Sequence, residues 1–151
     1  MADQEELYKE LERGKVLTIE VEADSRIALF ARATMALSRI MVQPNNLKTV
    51  ERHEIEVVDD TDIEMMHDIL GAALNVFRSG FIWLDAEVED RGGPIVVWLV
   101  GERYDPDRHS LLTEIKGVQE RQMVVENKDG KWRTRITFDI SAGAEVDPAV
   151  Q

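Results

Sequence analysis

The sequence predicts an α+β protein, with a mixed β-sheet of about five to six strands and helices mainly on one face of that sheet. Two long segments, residues 25–42 and 62–77, carry apolar side chains at helical spacing. Shorter segments between and after them alternate as strands do, or are apolar throughout. The order of elements is therefore β-α-β-α-β-β, followed by a C-terminal β-hairpin. The first four strands are predicted at residues 16–22, 49–58, 81–89 and 95–102.

The N-terminal part of the chain begins with a short charged helix, predicted over residues 1–14 and ending at Gly14. In the strand at 16–22, apolar and polar residues alternate, which indicates a strand with one buried face. Asp24 or Ser25 then suits the N-cap of the first long helix, because a short side-chain oxygen there accepts a hydrogen bond from a free backbone N–H.

The second long helix begins with a capping box, since Glu64 follows Thr61 by three residues. After this helix, the strands at 81–89 and 95–102 are joined by a glycine-rich turn, which predicts a hairpin. The strand at 95–102 is apolar on both of its faces. We therefore expect it in the middle of a sheet that is covered on both sides.

The C-terminal part ends in a second hairpin, whose last strand spans residues 131–140. The spacing of apolar residues over 107–121 fits a helix and a strand equally well, so both assignments stay open there. Residues 141–151 are rich in small and polar residues and are predicted to form a flexible tail. The domain organisation is thus a short helix, a single α+β domain over 15–140 and this tail.

Both long helices are apolar around more of their circumference than one sheet face can cover. Either the C-terminal part of the chain or a second subunit must cover the excess. The second alternative predicts a homo-oligomer, most simply a dimer. Two aromatic residues of the strand that follows could instead pack in the core or form a contact patch for another protein. The candidate interface residues are Met65, Ile69, Ala72, Val76, Phe81 and Trp83.

The composition excludes several classes of protein. The chain has 151 residues, no cysteine and a net charge of −12, all of which belongs to residues 1–120, because residues 121–151 hold five acidic and five basic side chains. An acidic body repels duplex DNA. The longest apolar run is too short to span a membrane, and the acidic N-terminus is unlike a signal peptide. We expect a cytoplasmic protein that does not bind a membrane.

Basic residues concentrate on the last hairpin and could bind RNA, with Trp132 available for stacking. Alternation places Trp132 opposite the arginines, however, so a charged face that docks another protein is the alternative. Two arginines of the first helix share a stripe and could clamp an anion or pair with acidic residues. The candidate nucleic-acid or anion-binding residues are Arg121, Lys131, Arg133, Arg135, Arg91, Arg32 and Arg39.

Glu64 and His67 have the Glu-x-x-His spacing that holds metal in carboxylate-bridged sites, but the chain has this motif once where such sites need it twice. Helix capping explains the acidic cluster more simply. His53 and His109 have no partner at a metal-ligand spacing. Signatures of nucleophilic, phosphate-binding and dinucleotide-binding sites are absent from the sequence. We therefore expect a non-enzymatic protein without a cofactor, which self-associates and acts as a protein-interaction or assembly module. A metal-binding protein or an enzyme, with its site at the helix start over residues 59–67, is the alternative.

The β-α-β-α-β-β order over residues 16–102 is similar to that of the Alba-type nucleic-acid-binding proteins of archaea. The resemblance is one of topology and rests on no shared motif. It implies a nucleic-acid-binding module and is the second reason to consider RNA as a partner. The corresponding hairpin tip, residues 87–93, carries a single arginine among acidic residues, so the sequence departs from the basic character of that family.

Overall fold

A computed structural model describes residues 7–141, which form seven strands and two helices. The α+β class and the order of the predicted elements are confirmed. The elements are β1 Lys9–Arg13, β2 Val16–Ala23, α1 Arg26–Met41, β3 Glu51–Val57, α2 Asp62–Arg78, β4 Phe81–Asp90, β5 Ile95–Arg103, β6 Ile115–Lys128 and β7 Lys131–Ile140.

The strands form two antiparallel sheets instead of the single mixed sheet that was expected. One sheet has four strands in the order β1-β2-β7-β6, and the other has three in the order β3-β5-β4. The division arises because β2 pairs with β7 near the far end of the chain, with Leu17 opposite Phe138. The crossover helix α1 therefore connects the two sheets instead of returning to the first.

Both helices lie between the two sheets. Helix α1 packs on β2 of the larger sheet and on β4 of the smaller one, and α2 packs on β6 and β3. This arrangement explains why both helices are apolar over so wide an arc, because each has a sheet on two sides. The first alternative from the sequence is therefore the one observed: the chain itself covers its helices.

The residues predicted to form a subunit interface pack inside the chain instead. Met65, Ile69, Phe81 and Trp83 are buried within the chain, with at most 4% of each side chain exposed. Ala72 and Val76 are half-buried and pack against the same core, so the set does not form a free apolar surface. The dimer was favoured by the expectation of apolar helix surface that nothing covers. The described part of the chain has no such surface. The homo-oligomer itself stays an untested prediction.

The predicted N-terminal helix is wrong over the residues that the structure describes. Residues Lys9–Arg13 form the edge strand β1, which pairs with β2. A short charged helix is marginal in isolation, and here strand pairing with β2 replaces it. The first six residues and the predicted tail from residue 142 onward lie outside the described part. Of the ambiguous segment 107–121, the part from Ile115 onward is strand and the part before it is loop.

The helix starts are capped as the sequence predicted. The Ser25 hydroxyl accepts a hydrogen bond from the Ala28 N–H at 3.1 Å, and the Thr61 hydroxyl accepts one from the Glu64 N–H at 3.1 Å. The acidic start of α2 is also tied to α1, since the Arg26 guanidinium lies 2.7 Å from Asp62. Capping and ion pairing thus account for much of the acidic cluster there.

Helix α1 also covers the outer edge of β4. The Trp83 indole N–H donates to the Thr34 carbonyl at 3.0 Å, and the Ser38 hydroxyl donates to the Trp83 carbonyl. Arg39 reaches the next carbonyl, that of Leu84, at 3.5 Å. The register between β4 and β5 shifts at this point, between Trp83 and Asp85. Side chains of the helix thereby satisfy carbonyl groups that the irregular strand leaves unpaired.

Candidate protein-interaction surface

The outer face of the three-stranded sheet carries a row of apolar side chains that lies outside the main hydrophobic cluster. Strand β5 is the middle strand, as predicted, and its inward residues join the hydrophobic core. Its outward residues Val96, Trp98 and Val100 lie outside that core cluster. Val96 is buried among its neighbours, whereas Trp98 and Val100 are half-buried. We expect from the sequence that both faces of this strand are covered. Within residues 7–141, no other layer covers the outer face, so this prediction is wrong for that face.

Charged side chains flank this apolar row on both sides. The register pairs each outward residue of β5 with one residue of β3 and one of β4, which gives three cross-strand rungs. All six flanking side chains are exposed, and five of them are carboxylates. We call this surface the Trp98 face; its rungs are Arg52–Val100–Asp85, Glu54–Trp98–Glu87 and Glu56–Val96–Glu89.

Two arginines neutralise part of this negative charge. The Arg52 guanidinium lies over the Trp98 ring, 4.3 Å from its centroid, and 3.2 Å from the Glu87 carboxylate. At the hairpin tip, Arg91 lies 3.1 Å from Glu89. The hydrogen bond and charge of Glu89, with smaller contributions from Glu54 and Glu56, raise the pKa of Arg91. The Trp98 face is therefore an apolar row with an excess of carboxylates, and the cations on it are paired.

A buried ionic cluster closes one end of the Trp98 face. Glu102 follows Val100 on the same side of β5 and is only 6% exposed. Its carboxylate accepts hydrogen bonds from the Lys48 N–H at 2.7 Å, from Arg108 at 2.5 Å and from the His109 ring at 2.8 Å. Nδ1 of His109 accepts from the Asp105 N–H at 2.9 Å, which places the ring proton on Nε2, the atom facing Glu102.

These bonds fix the loop that follows β5. Burial by itself favours the neutral carboxyl, but hydrogen bonds from Arg108, from the Lys48 N–H and from His109 outweigh it and lower the pKa of Glu102 to about 2. The loop then caps the C-terminus of α1, since the N–H groups of Leu112 and Thr113 donate to carbonyls of its last turn at 2.8 and 3.1 Å. The cluster has a structural role: it holds the loop across the sheet end and the helix end.

Sequence reasoning missed this cluster. In the sequence, His109 has no partner at a metal-ligand spacing, and Glu102 is only the last residue of a predicted strand. The available signal was a glutamate at the end of an apolar strand followed, across a short turn, by the adjacent pair Arg108 and His109. A buried carboxylate needs such donors, so this spacing indicates an internal ionic cluster once the strand is known to be buried.

The basic hairpin is paired internally with acidic residues. Lys131 lies 3.1 Å from Asp24, and Arg133 contacts both Glu126 and Glu20. Arg135 also reaches Glu20, at 3.9 Å. Trp132 packs against the core on the opposite face of the strand, as alternation predicted. The hairpin is therefore a charge-balanced sheet face in which these cations already have carboxylate partners.

The remaining anion-binding candidates do not converge. Arg32 donates to the Glu22 carbonyl of β2 at 2.9 Å, whereas Arg39 reaches Leu84 in β4. The two helix arginines thus turn toward different sheets and do not form a joint clamp. Arg121 is exposed on β6, in the irregular part of its pairing with β7. The structure brings no three of the predicted cations together around a shared anion site in residues 7–141.

The candidate metal site at the start of α2 is not assembled in the described residues. His67 Nε2 lies 3.0 Å from the Val118 carbonyl of β6, and Nδ1 lies 3.2 Å from the Asp68 carboxylate. Both ring nitrogens are therefore engaged within the protein. Residues 7–141 contain no group of three or more histidine, aspartate or glutamate side chains placed to hold a metal ion.

Asp59 is the one carboxyl group in this region with a strongly shifted pKa. A hydrogen bond with the Asp68 carboxyl, followed by burial and the charges of Asp68, Glu64 and Asp60, raises the pKa of Asp59 from 3.8 to about 6. Its Oδ2 atom is shielded from solvent. Protonation of Asp59 removes the repulsion between it and the neighbouring carboxylates.

This shift predicts a stability that declines as the pH rises. Folding raises the pKa of Asp59, so its contribution to stability is fully present below pH 3.8 and is lost as the pH passes about 6. Because asparagine mimics the protonated carboxyl, D59N should unfold at higher urea concentration than wild type at pH 7.5 and at nearly the same concentration at pH 3.5. The control D60N changes an exposed neighbour. Its offset in urea midpoint from wild type should not shrink toward zero at the lower pH. Equal offsets for D59N at both pH values would contradict the assignment.

Fold and surface together define a class: a small β/α/β domain whose two helices lie between antiparallel sheets, with an acidic, tryptophan-bearing face on one of them. The family model of the archease protein family matches residues 8–140. The chain therefore belongs to the archease family. The Alba-type resemblance concerned element order alone and made no claim of a shared family.

The sequences of two relatives align with most of this chain. Protein archease of Methanopyrus kandleri is 31% identical over 140 residues, which cover 88% of this chain and 99% of the relative. Protein archease of Pyrococcus abyssi is 26% identical over 123 residues, which cover 78% of this chain and 87% of the relative.

No helix among the described residues is long and apolar enough to cross a membrane.

Two solved structures share the fold. The solution structure of protein 1598 of Methanobacterium thermoautotrophicum superposes with a TM-score of 0.72 at 13% identity, covering 87% of this chain and 97% of that one. The crystal structure of an archease from Thermotoga maritima, described as a possible chaperone, has a TM-score of 0.65 at 18% identity and covers 85% and 94%.

Proposed function

We propose that this protein acts by binding another protein, as a chaperone-type member of the archease family, and that it does so through the Trp98 face. The observation that carries the proposal is the row of half-buried Trp98 and Val100 on a sheet face that no other layer of the described chain covers. Aromatic residues surrounded by a polar rim are typical of protein interfaces. The description of the Thermotoga maritima relative as a possible chaperone supports this assignment.

A different protein suits this face better than a second copy of the chain. In a two-fold dimer the same patch meets itself, and two Trp98 faces would bring their five carboxylates each into opposition. Such like-charge contacts disfavour association. The charges therefore favour a partner that is a different protein. Self-association and RNA binding through the last hairpin remain predictions from the sequence, as does the cytoplasmic location.

The test measures aggregation of an unfolding client protein, reduced lysozyme, by light scattering. Wild-type protein in equimolar amount should delay the aggregation, and W98S should lose most of that delay, because the central contact of the face is removed. L111S is the matched control, since Leu111 is 52% exposed and lies outside the three rungs of the Trp98 face. Equal delay by W98S and L111S, or no delay with wild type, would refute the proposal.

A further inference from the structure

The Trp98 face contains a complete site for a cationic side chain, and that site is occupied by the protein's own Arg52. The guanidinium stacks on the Trp98 ring at 4.3 Å and pairs with Glu87 at 3.2 Å, while Glu54 lies on the other side of the same rung. An aromatic ring with carboxylates beside it is the arrangement that attracts arginine and lysine side chains. Arg52 is half-exposed, with 52% of its side chain open to solvent, so it is free to move aside.

We propose that Trp98, Glu54 and Glu87 receive an arginine or lysine side chain of a partner polypeptide, and that Arg52 is a resident cation which the partner displaces. This inference rests on the proposed function, since it names the chemistry of the partner that binds the same face. The partner segment would be extended or helical, with cationic side chains over the acidic rows and apolar ones over Val100.

The charge distribution favours this partner over others. The face presents five carboxylates against two arginines, and both arginines are already paired with Glu87 and Glu89. Nucleic acid and anionic lipid surfaces would be repelled by these carboxylates. A cationic segment gains attraction from Asp85, Glu54 and Glu56, which form no ion pair within residues 7–141, in addition to contact with Trp98. Its binding should weaken with rising salt, because the flanking carboxylates are exposed.

Displacement of Arg52 makes a specific quantitative prediction. A resident cation competes with the incoming one, so its removal should increase the affinity of the face for a cationic peptide. We expect R52A to bind about fivefold more tightly, which corresponds to about 1 kcal/mol for one exposed cation–π contact and its surface ion pair. Loss of the receiving ring in W98A should weaken binding about tenfold.

The experiment measures fluorescence anisotropy of a labelled synthetic peptide in which arginine and valine alternate, with a glutamate–valine peptide as the charge-reversed probe. R121A is the matched control for R52A, because Arg121 is an exposed arginine on the other sheet and its loss changes the net charge equally. R121A should change affinity less than twofold. E54Q, which leaves the Arg52–Glu87 pair intact, should weaken binding about threefold and serves if W98A does not fold.

The outcomes separate the two proposals. Fivefold tightening in R52A, with R121A unchanged and W98A or E54Q weakened, supports the resident-cation site. If R52A and R121A tighten binding equally, the effect is one of net charge and the inference is overturned. A third outcome is that W98S no longer protects the client protein, but the arginine peptide binds no better than the charge-reversed peptide. This result would support the interaction face and contradict its preference for cationic side chains. If wild type binds neither peptide and protects no client, the proposed function fails as well.

Discussion

Replacing Gly101 with alanine is expected to destabilise the protein by at least about 3 kcal/mol. Gly101 lies in β5 opposite Trp83, where the register of the β4–β5 pair shifts. A Cβ atom added at Gly101 would lie 2.5 Å from the Trp83 Cα and 2.8 Å from the Ile82 carbonyl carbon, and closer still to the Ile82 carbonyl oxygen. All three are backbone atoms, so no side chain can rotate away to relieve the clash.

The clash must therefore separate the two strands or shift β4. Either movement disturbs Trp83, which is fully buried and hydrogen-bonded to the Thr34 carbonyl of α1. Overpacking at a site where the neighbours cannot move costs more than overpacking against flexible side chains. The packing of α1 on β4 should be lost together with the strand register, so the effect spreads from one residue to a whole layer.

Urea unfolding followed by tryptophan fluorescence measures this prediction. The matched control is G117A, because Gly117 is also in a strand but has only the Asp139 carboxylate within 4 Å of the added Cβ, at 3.9 Å. G117A should unfold within about 1 kcal/mol of wild type, as substitutions without a clash usually do. A stability of G101A close to that of G117A would show that the close approach of β4 and β5 is not a constraint.

Replacing Glu102 with glutamine is expected to cost about 2 to 3 kcal/mol, because hydrogen bonds to a buried charged group contribute that amount. The amide has the shape of the carboxylate but cannot accept from the Lys48 N–H, Arg108 and His109 together. One of these donors must remain unpaired. The loop over residues 104–113 should loosen first, which weakens the capping of α1 by Leu112 and Thr113.

The pH dependence gives this prediction a second readout. Folding lowers the pKa of Glu102 from 4.5 to about 2, so its stabilising contribution is complete above pH 4.5 and is lost as the pH falls through 2. The difference in unfolding free energy between wild type and E102Q should be constant from pH 7 to pH 5 and shrink toward pH 2. The control E114Q changes an exposed glutamate of the same loop. A difference that does not change between pH 5 and pH 2 would rule out a buried carboxylate as the cause.

Much of the local structure could be predicted because its causes are local. Helix α1 begins at Arg26 and α2 at Asp62, beside the predicted caps Ser25 and Thr61, since a capping side chain bonds groups only three residues away. Alternation likewise identified the inward face of β7. The N-terminal helix failed for the opposite reason: β1 exists only because β2 lies beside it, and its own residues favour no strand.

The candidate site was only partly predictable. Trp83 and Trp98 are both aromatic residues of successive predicted strands, yet Trp83 is fully buried and Trp98 is half-buried at an open sheet face. Period-two alternation shows which residues share a face, but it does not show which face another layer will cover. The Glu102 cluster was missed because its donors come from two loops, at Lys48 and at Arg108 and His109, that are brought together only when β5 is in place.

The sequence by itself determined the α+β class, the two helices with their caps, the central position of β5 and the need for a second layer over the helices. These follow from periodicity and from the apolar surface that each element must bury. Only the tertiary structure decided that the strands divide into two sheets and that β6 and β7 complete the cover of the helices. It also decided that no other layer of residues 7–141 covers the row at Trp98. Pairing partners such as Leu17 and Phe138 are distant in the chain, and their choice depends on the packing of the whole molecule.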